Sequence, residues 1–118
     1  MKSNDKHDIA LTEPILEGTL DGSELSISII VSAYNTRISQ GLLDGCIKGM
    51  EQCSVVNRKI IKIDGSFELP LIAQKCAKFS DAVICLGAVI KGDTAHFEYV
   101  SDQTAKGIQD VMLSSGKP

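Results

Sequence analysis

Tryptophan is absent from the 118 residues, and three phenylalanines and two tyrosines make up the whole aromatic complement. No apolar run approaches the roughly 18 residues needed to span a bilayer. The longest runs, 27–31 broken by Ser28 and 82–90 broken by Gly87, have the length of strands, which excludes a transmembrane helix. The opening of the chain is polar and mixed in charge. It has neither the apolar segment of a secretory signal nor the arginine-rich pattern of a transit peptide, so the expected compartment is the cytoplasm. Basic charge is also scarce. Twelve basic against fifteen acidic side chains leave a net charge of −3, and the lysines are scattered, which argues against nucleic-acid binding by bulk electrostatics. Four cysteines, Cys46, Cys53, Cys76 and Cys85, match neither a zinc pattern nor a redox pair and read as reduced core residues.

What is present is one domain of ordinary size, 43% hydrophobic and 23% charged, with ten glycines and three prolines. Residues 1–13 read as a flexible polar tail and 14–118 as the folded domain. A short alternating stretch over 14–20 leads to a turn signal at Asp21-Gly22, and 25–31 follows as a buried strand rich in isoleucine and serine. Ile38, Leu42, Leu43, Cys46, Met50 and Cys53 then fall on one helical stripe. Residues 59–63 form the next strand. Leu69, Ile72, Ala73, Cys76 and Ala77 repeat the helical stripe, with Pro70 tolerated in the first turn. The run 82–89 lacks alternation and predicts a strand buried on both faces. Val100, Thr104, Ile108, Val111 and Met112 mark a last helix, closed by Ser114-Ser115-Gly116.

The alternation of strand and helix predicts a flavodoxin-like three-layer α/β/α fold with a parallel sheet. Ligands of such sheets sit outside the carboxyl ends of the strands, which singles out three loops, 32–37, 64–68 and 87–96.

The last of these leaves a strand through Gly87 and Gly92 and enters a helix near Asp93 or Thr94, each a good cap. Backbone N–H groups at that helix start, with Lys91 and the Thr94 hydroxyl, suit a phosphate group. The same segment also reads as an ordinary glycine-rich turn. His96 lies just inside the helix, and imidazole is the side chain that exchanges protons near neutrality. A single histidine can equally be an exposed or capping residue. In the second loop Ser66 and Glu68 serve as capping residues on the plain reading. On the functional reading Phe67 and Tyr34 give apolar faces to a flat polar heterocycle, with backbone amides along its edge. Phe97 and Tyr99, flanking the histidine, favour the second reading.

Tyr34-Asn35 after the first strand, the segment Gly65-Ser66-Phe67-Glu68-Leu69-Pro70 after the second, and the run from Gly87 to Val100 after the third resemble the 6,7-dimethyl-8-ribityllumazine synthase family. The likeness covers 16–118 in order and spacing, including Ala105-Lys106-Gly107-Ile108. It implies a transferase of riboflavin biosynthesis that condenses 5-amino-6-(D-ribitylamino)uracil with 3,4-dihydroxy-2-butanone 4-phosphate, releasing phosphate and water. No cofactor or metal is implied. By position, Tyr34 would stack on the pyrimidine, and Ser66, Phe67 and Glu68 would bind the ring edge and ribityl chain. Ala88, Val89 and Ile90 would supply backbone contacts, Asp93 and Thr94 would hold the phosphate, and His96 would transfer protons. A homopentamer or a shell of twelve pentamers is implied, with neither nucleic acid nor membrane as partner.

The chain departs from the family pattern at Asp64 and Ala95. Family chains also continue past a segment like Ser115-Gly116-Lys117-Pro118 into a further strand and helices that bring a phosphate-binding arginine and an aromatic residue to the neighbouring subunit's site. Here the last arginine is Arg58. The expectation is a C-terminally incomplete domain. The alternative to an enzyme is a non-catalytic subunit that binds a flavin or phosphorylated metabolite, or one that only builds a shell.

Overall fold

The structure, a computed structural model, describes residues 12–92 and 96–118. The predicted polar tail over 1–13 lies almost wholly outside the described residues. Three strands and three helices alternate along the chain. They are β1 (Ser26–Ser32), α1 (Thr36–Gln52), β2 (Asn57–Ile63), α2 (Leu69–Cys76), β3 (Ala82–Leu86) and α3 (His96–Ser115), with a 3-10 turn at Ser66–Glu68 leading into α2. No helix of the described residues is long and apolar enough to cross a membrane.

The stretch before β1 runs without a strand partner among the described residues and leaves Leu16 and Leu20 exposed. The turn sits slightly later than its sequence signal. Leu25 N–H donates to the Gly22 carbonyl at 3.0 Å, and the Asp21 carboxylate accepts from Ser23 N–H at 3.0 Å. Hydrogen bonds from Ser23, first its backbone N–H and then its hydroxyl, hold the Asp21 carboxyl below the usual range.

All strands are parallel, in the order β2-β1-β3, so the first strand of the chain is the centre of the sheet. Ile30 pairs with Ile61 on one side and with Cys85 on the other. This position explains the composition of β1, whose residues from Ile27 onward are all buried. Side chains leave it alternately to two faces. Ile27 and Ile29 meet Val55 and the Leu43, Cys46, Met50 and Cys53 stripe of α1. Ile30 meets Leu69, Ala73 and Cys76 of α2, with Ile108 and Val111 of α3 packed against them. The result is the predicted three-layer arrangement, with α1 on one face of the sheet and α2 with α3 on the other.

Two expectations need correction. The third strand ends at Leu86 rather than residue 89, and its five residues are half-buried rather than fully enclosed. The ladder with β1 closes at Val31 and Leu86, and beyond it the chain turns away over Ser32 and Ser66. The α1 stripe is also only partly covered. Ile38 and Leu42 stay about two-fifths exposed, because the packed seam begins at Leu43.

Candidate functional site

Each strand of the sheet passes into its helix at the same end, and the three connecting segments converge there. A cavity of about 360 Å³ lies between them, a size ordinary for small-molecule sites. Tyr34 comes from the first loop, Gly65, Ser66 and Phe67 from the second, and Ala88, Val89, Ile90 and Gly92 from the third. His96, Phe97 and Val100 of α3 close the remaining wall.

Tyr34 is fixed by its backbone rather than by its ring. Its N–H donates to the Asp64 carbonyl at 3.0 Å, and its own carbonyl accepts from the buried Ser39 hydroxyl at 3.2 Å. Asn35 follows in the left-handed region, with φ of 63°, where asparagine is tolerated better than most residues. The chain therefore reverses sharply into α1 and leaves the Tyr34 side chain 62% exposed at the rim.

Ser66 is buried at the foot of the second loop, whereas Phe67 is half-exposed and stacks on Tyr99 with ring centroids 6.2 Å apart and an interplanar angle of 22°. Ser66 lies against Gly87, where an added Cβ would come within 2.8 Å of the Ser66 hydroxyl and 3.2 Å of Ser32 Cβ. Only a residue without a side chain lets the third loop pass this close. Glu68 does not line the cavity. Its carboxylate accepts from Gly65 N–H at 3.0 Å and braces the 3-10 turn, the plain capping role its position allows.

Of the residues singled out in the sequence, Tyr34, Ser66, Phe67, Ala88, Val89, Ile90 and His96 thus share one cavity, and Glu68 stands behind it. Asp93 and Thr94 lie outside the described residues. Gly92 and Phe97, named with the third loop and its helix, line the cavity as well, whereas Gly65 and Val100 line it with no role expected of them. Helix geometry carries the signal for Val100, one turn after His96 and on the same face.

The cavity offers an apolar slot with aromatic rims, backbone groups along one wall and a histidine along another. Among the described residues no group of three His, Cys, Asp or Glu side chains gathers as a metal cluster. The four cysteines are free. Burial, and secondarily the charge of Cys76, pushes the Cys85 thiol up to about 11, which makes it a poor nucleophile at neutral pH.

Fold and cavity define a parallel α/β domain with a cavity of small-molecule size at the carboxyl edge of its sheet. A profile of the 6,7-dimethyl-8-ribityllumazine synthase family matches residues 24–118, and the chain belongs to that family. It is similar to the proteins named 6,7-dimethyl-8-ribityllumazine synthase of Thermococcus kodakarensis, 40% identical over 106 residues, and of Cutibacterium acnes, 37% identical over 110 residues. The corresponding protein of an Arthrobacter species is 40% identical over 96 residues. These alignments cover 88%, 93% and 81% of the chain and 68%, 66% and 60% of the respective relatives.

Proposed function

We propose that this chain works in riboflavin biosynthesis as a lumazine synthase, joining 5-amino-6-(D-ribitylamino)uracil to 3,4-dihydroxy-2-butanone 4-phosphate with release of phosphate and water. The observation that carries the reading is the single cavity in which loops from all three strand ends meet beside His96. Tyr34 and Phe67 would face the flat pyrimidine, Ser66 would take the ring edge and ribityl chain with Glu68 bracing its turn from behind, and the backbone at Ala88, Val89 and Ile90 would complete the slot. Asp93 and Thr94, which follow Gly92 in sequence, would receive the phosphate. The amine of one substrate is the nucleophile, so the protein need supply only positioning and one proton-transfer group, His96. No serine or cysteine nucleophile is required. The exposed Leu16 and Leu20 and the partly uncovered Ile38 and Leu42 support assembly into a homo-oligomer. Pentamers or a shell of them, in the cytoplasm, complete the proposal.

The test is a titration with 6,7-dimethyl-8-ribityllumazine followed by its fluorescence, together with an absorbance assay for its formation. Saturable binding is expected, with turnover well below that of a version extended by the family's arginine-bearing segment, and in that extended version His96→Ala should lower the turnover rate by about 10²-fold or less. Binding without turnover would favour a non-catalytic subunit, and turnover unaffected by His96→Ala across the pH range would remove that residue from the mechanism.

A further inference from the structure

Thr104 sits on α3 about two turns beyond His96, with its side chain buried. Its hydroxyl donates to the Ser66 carbonyl at 3.3 Å, across the seam between α3 and the second loop. That carbonyl also accepts the backbone N–H of Leu69, so it serves the start of α2 and the face of α3 together. Ser66 in turn is the residue over which Gly87 and Ser32 close. Four parts of the chain, the end of β1, the 3-10 turn, the third loop and α3, therefore meet at one serine. A turn further along α3, Gly107 lies so near Pro70 that the same helix is held against the start of α2.

We propose that Thr104 is a positioning residue of the cavity, its hydroxyl setting the separation between the Ser66–Phe67 wall and the α3 wall that carries His96, Phe97 and Val100. The inference rests on the functional reading above for the identity of the ligand, while the geometry it invokes stands without it. A valine would fill the same volume and keep α3 packed, but it cannot hold the carbonyl. The turn would then be free to slide along the helix, widening the slot in which a flat ring lies. Binding of the ring, rather than the proton-transfer step, is what the hydroxyl governs.

The experiment compares the native chain with Thr104→Val and Thr104→Ser. Two quantities are read, the Kd for 6,7-dimethyl-8-ribityllumazine from its fluorescence and the hydrogen exchange of the Glu68 and Leu69 amides, which donate to the Gly65 and Ser66 carbonyls. In Thr104→Val, Kd is expected to rise about tenfold, in line with one lost hydrogen bond, and exchange at the turn to accelerate by at least about tenfold. The Ile29 and Ile30 amides of β1 should keep their native protection, and Thr104→Ser should restore both quantities. Native exchange at the turn in Thr104→Val would overturn the proposal. So would equal loosening of β1, which would make Thr104 a general packing residue, or failure of serine to rescue. If the turn loosens as expected but the native chain does not bind the lumazine, the brace stands and the reading of the cavity falls.

Discussion

The two faces of the sheet are built from different chemistry. Against α1, β1 presents Ile27 and Ile29, and the partners are Val55, Leu43, Cys46, Met50 and Cys53, an apolar seam with a single helix. Toward α2 and α3 the same strand presents Ser28 and Ser32 on either side of Ile30, and the buried groups around them include Ser66, Ser80 and Thr104. The Ser28 and Ser80 hydroxyls hydrogen-bond each other at 2.5 Å. Small hydroxyl residues fill less space than isoleucine and carry directional bonds, so this side admits close backbone approaches and leaves room at its end. The cavity borders Ser66, and so does a second hollow on this side, lined by Leu69, Gly87, Thr104 and Ile108. Both faces hold an apolar core, and the second adds directional polar bonds and the cavity at its end.

Substitutions can break this contrast in graded steps. Ile29→Ala, at a fully buried site on the α1 side, should lower unfolding free energy by about 2–5 kcal/mol in urea titrations while molecules that remain folded bind ligand as before. Gly107→Ala acts on the other side. Its Cβ would approach Pro70 Cγ to 2.6 Å and Cβ to 2.8 Å, and a proline ring cannot swing aside, so α3 must move. A cost of about 1–3 kcal/mol is expected, accompanied by weaker lumazine binding, and a stability loss with native affinity would show the two faces to be less separable than described.

Thiol chemistry sharpens the comparison with smaller effects. The folded chain keeps Cys85 protonated to about pH 11 against an ordinary 9.0, because burial and then Cys76 disfavour its thiolate. A folded-state value above the unfolded one means that the contribution to stability is fully present below pH 9.0 and disappears as pH rises toward 11. Native protein should therefore lose melting temperature over that interval, and Cys85→Ala should lose less of it. Cys46, on the α1 side, is raised by burial alone. Iodoacetamide at pH 8.5 should modify Cys46 before Cys85, as mass spectrometry of peptides would show. At the bottom of the scale, Lys106→Ala removes an exposed ion pair with Asp110 at 3.6 Å and should change stability by no more than about 0.5 kcal/mol.

The helical stripes of α1, α2 and α3 and the β1 run were legible in the sequence because each repeats one spacing over several turns or residues. The three loops were legible because strand-to-helix order alone places them at one end of the sheet. Coverage was not. The strand run through Val89 looks continuous in composition, yet Gly87 leaves the ladder because Ser32 and Ser66 stand in its way, a fact of three dimensions. Ile38 belongs to the same stripe as Cys46, but no element in the described residues lies over it. Glu68 and Ser66 are two positions apart in sequence and carry equal promise there, while the 3-10 turn sends the Glu68 carboxylate back to Gly65 and sets Ser66 in the cavity wall.

The central place of β1 governs the order in which the molecule can assemble. Ile27 pairs with Arg58, 31 residues away, and with Ala82, 55 residues away. Loop closure grows dearer with length, though slowly, so the β1–β2 pair with α1 can form while the chain is still emerging from a ribosome. The β3 ladder must wait. Every wall of the cavity beyond Tyr34 and the 3-10 turn arrives only after that second pairing, and so do Ala82, Ile84 and Leu86 of the core beneath α1. A ligand present during synthesis can therefore select only the finished topology, and it cannot template the steps that lead there.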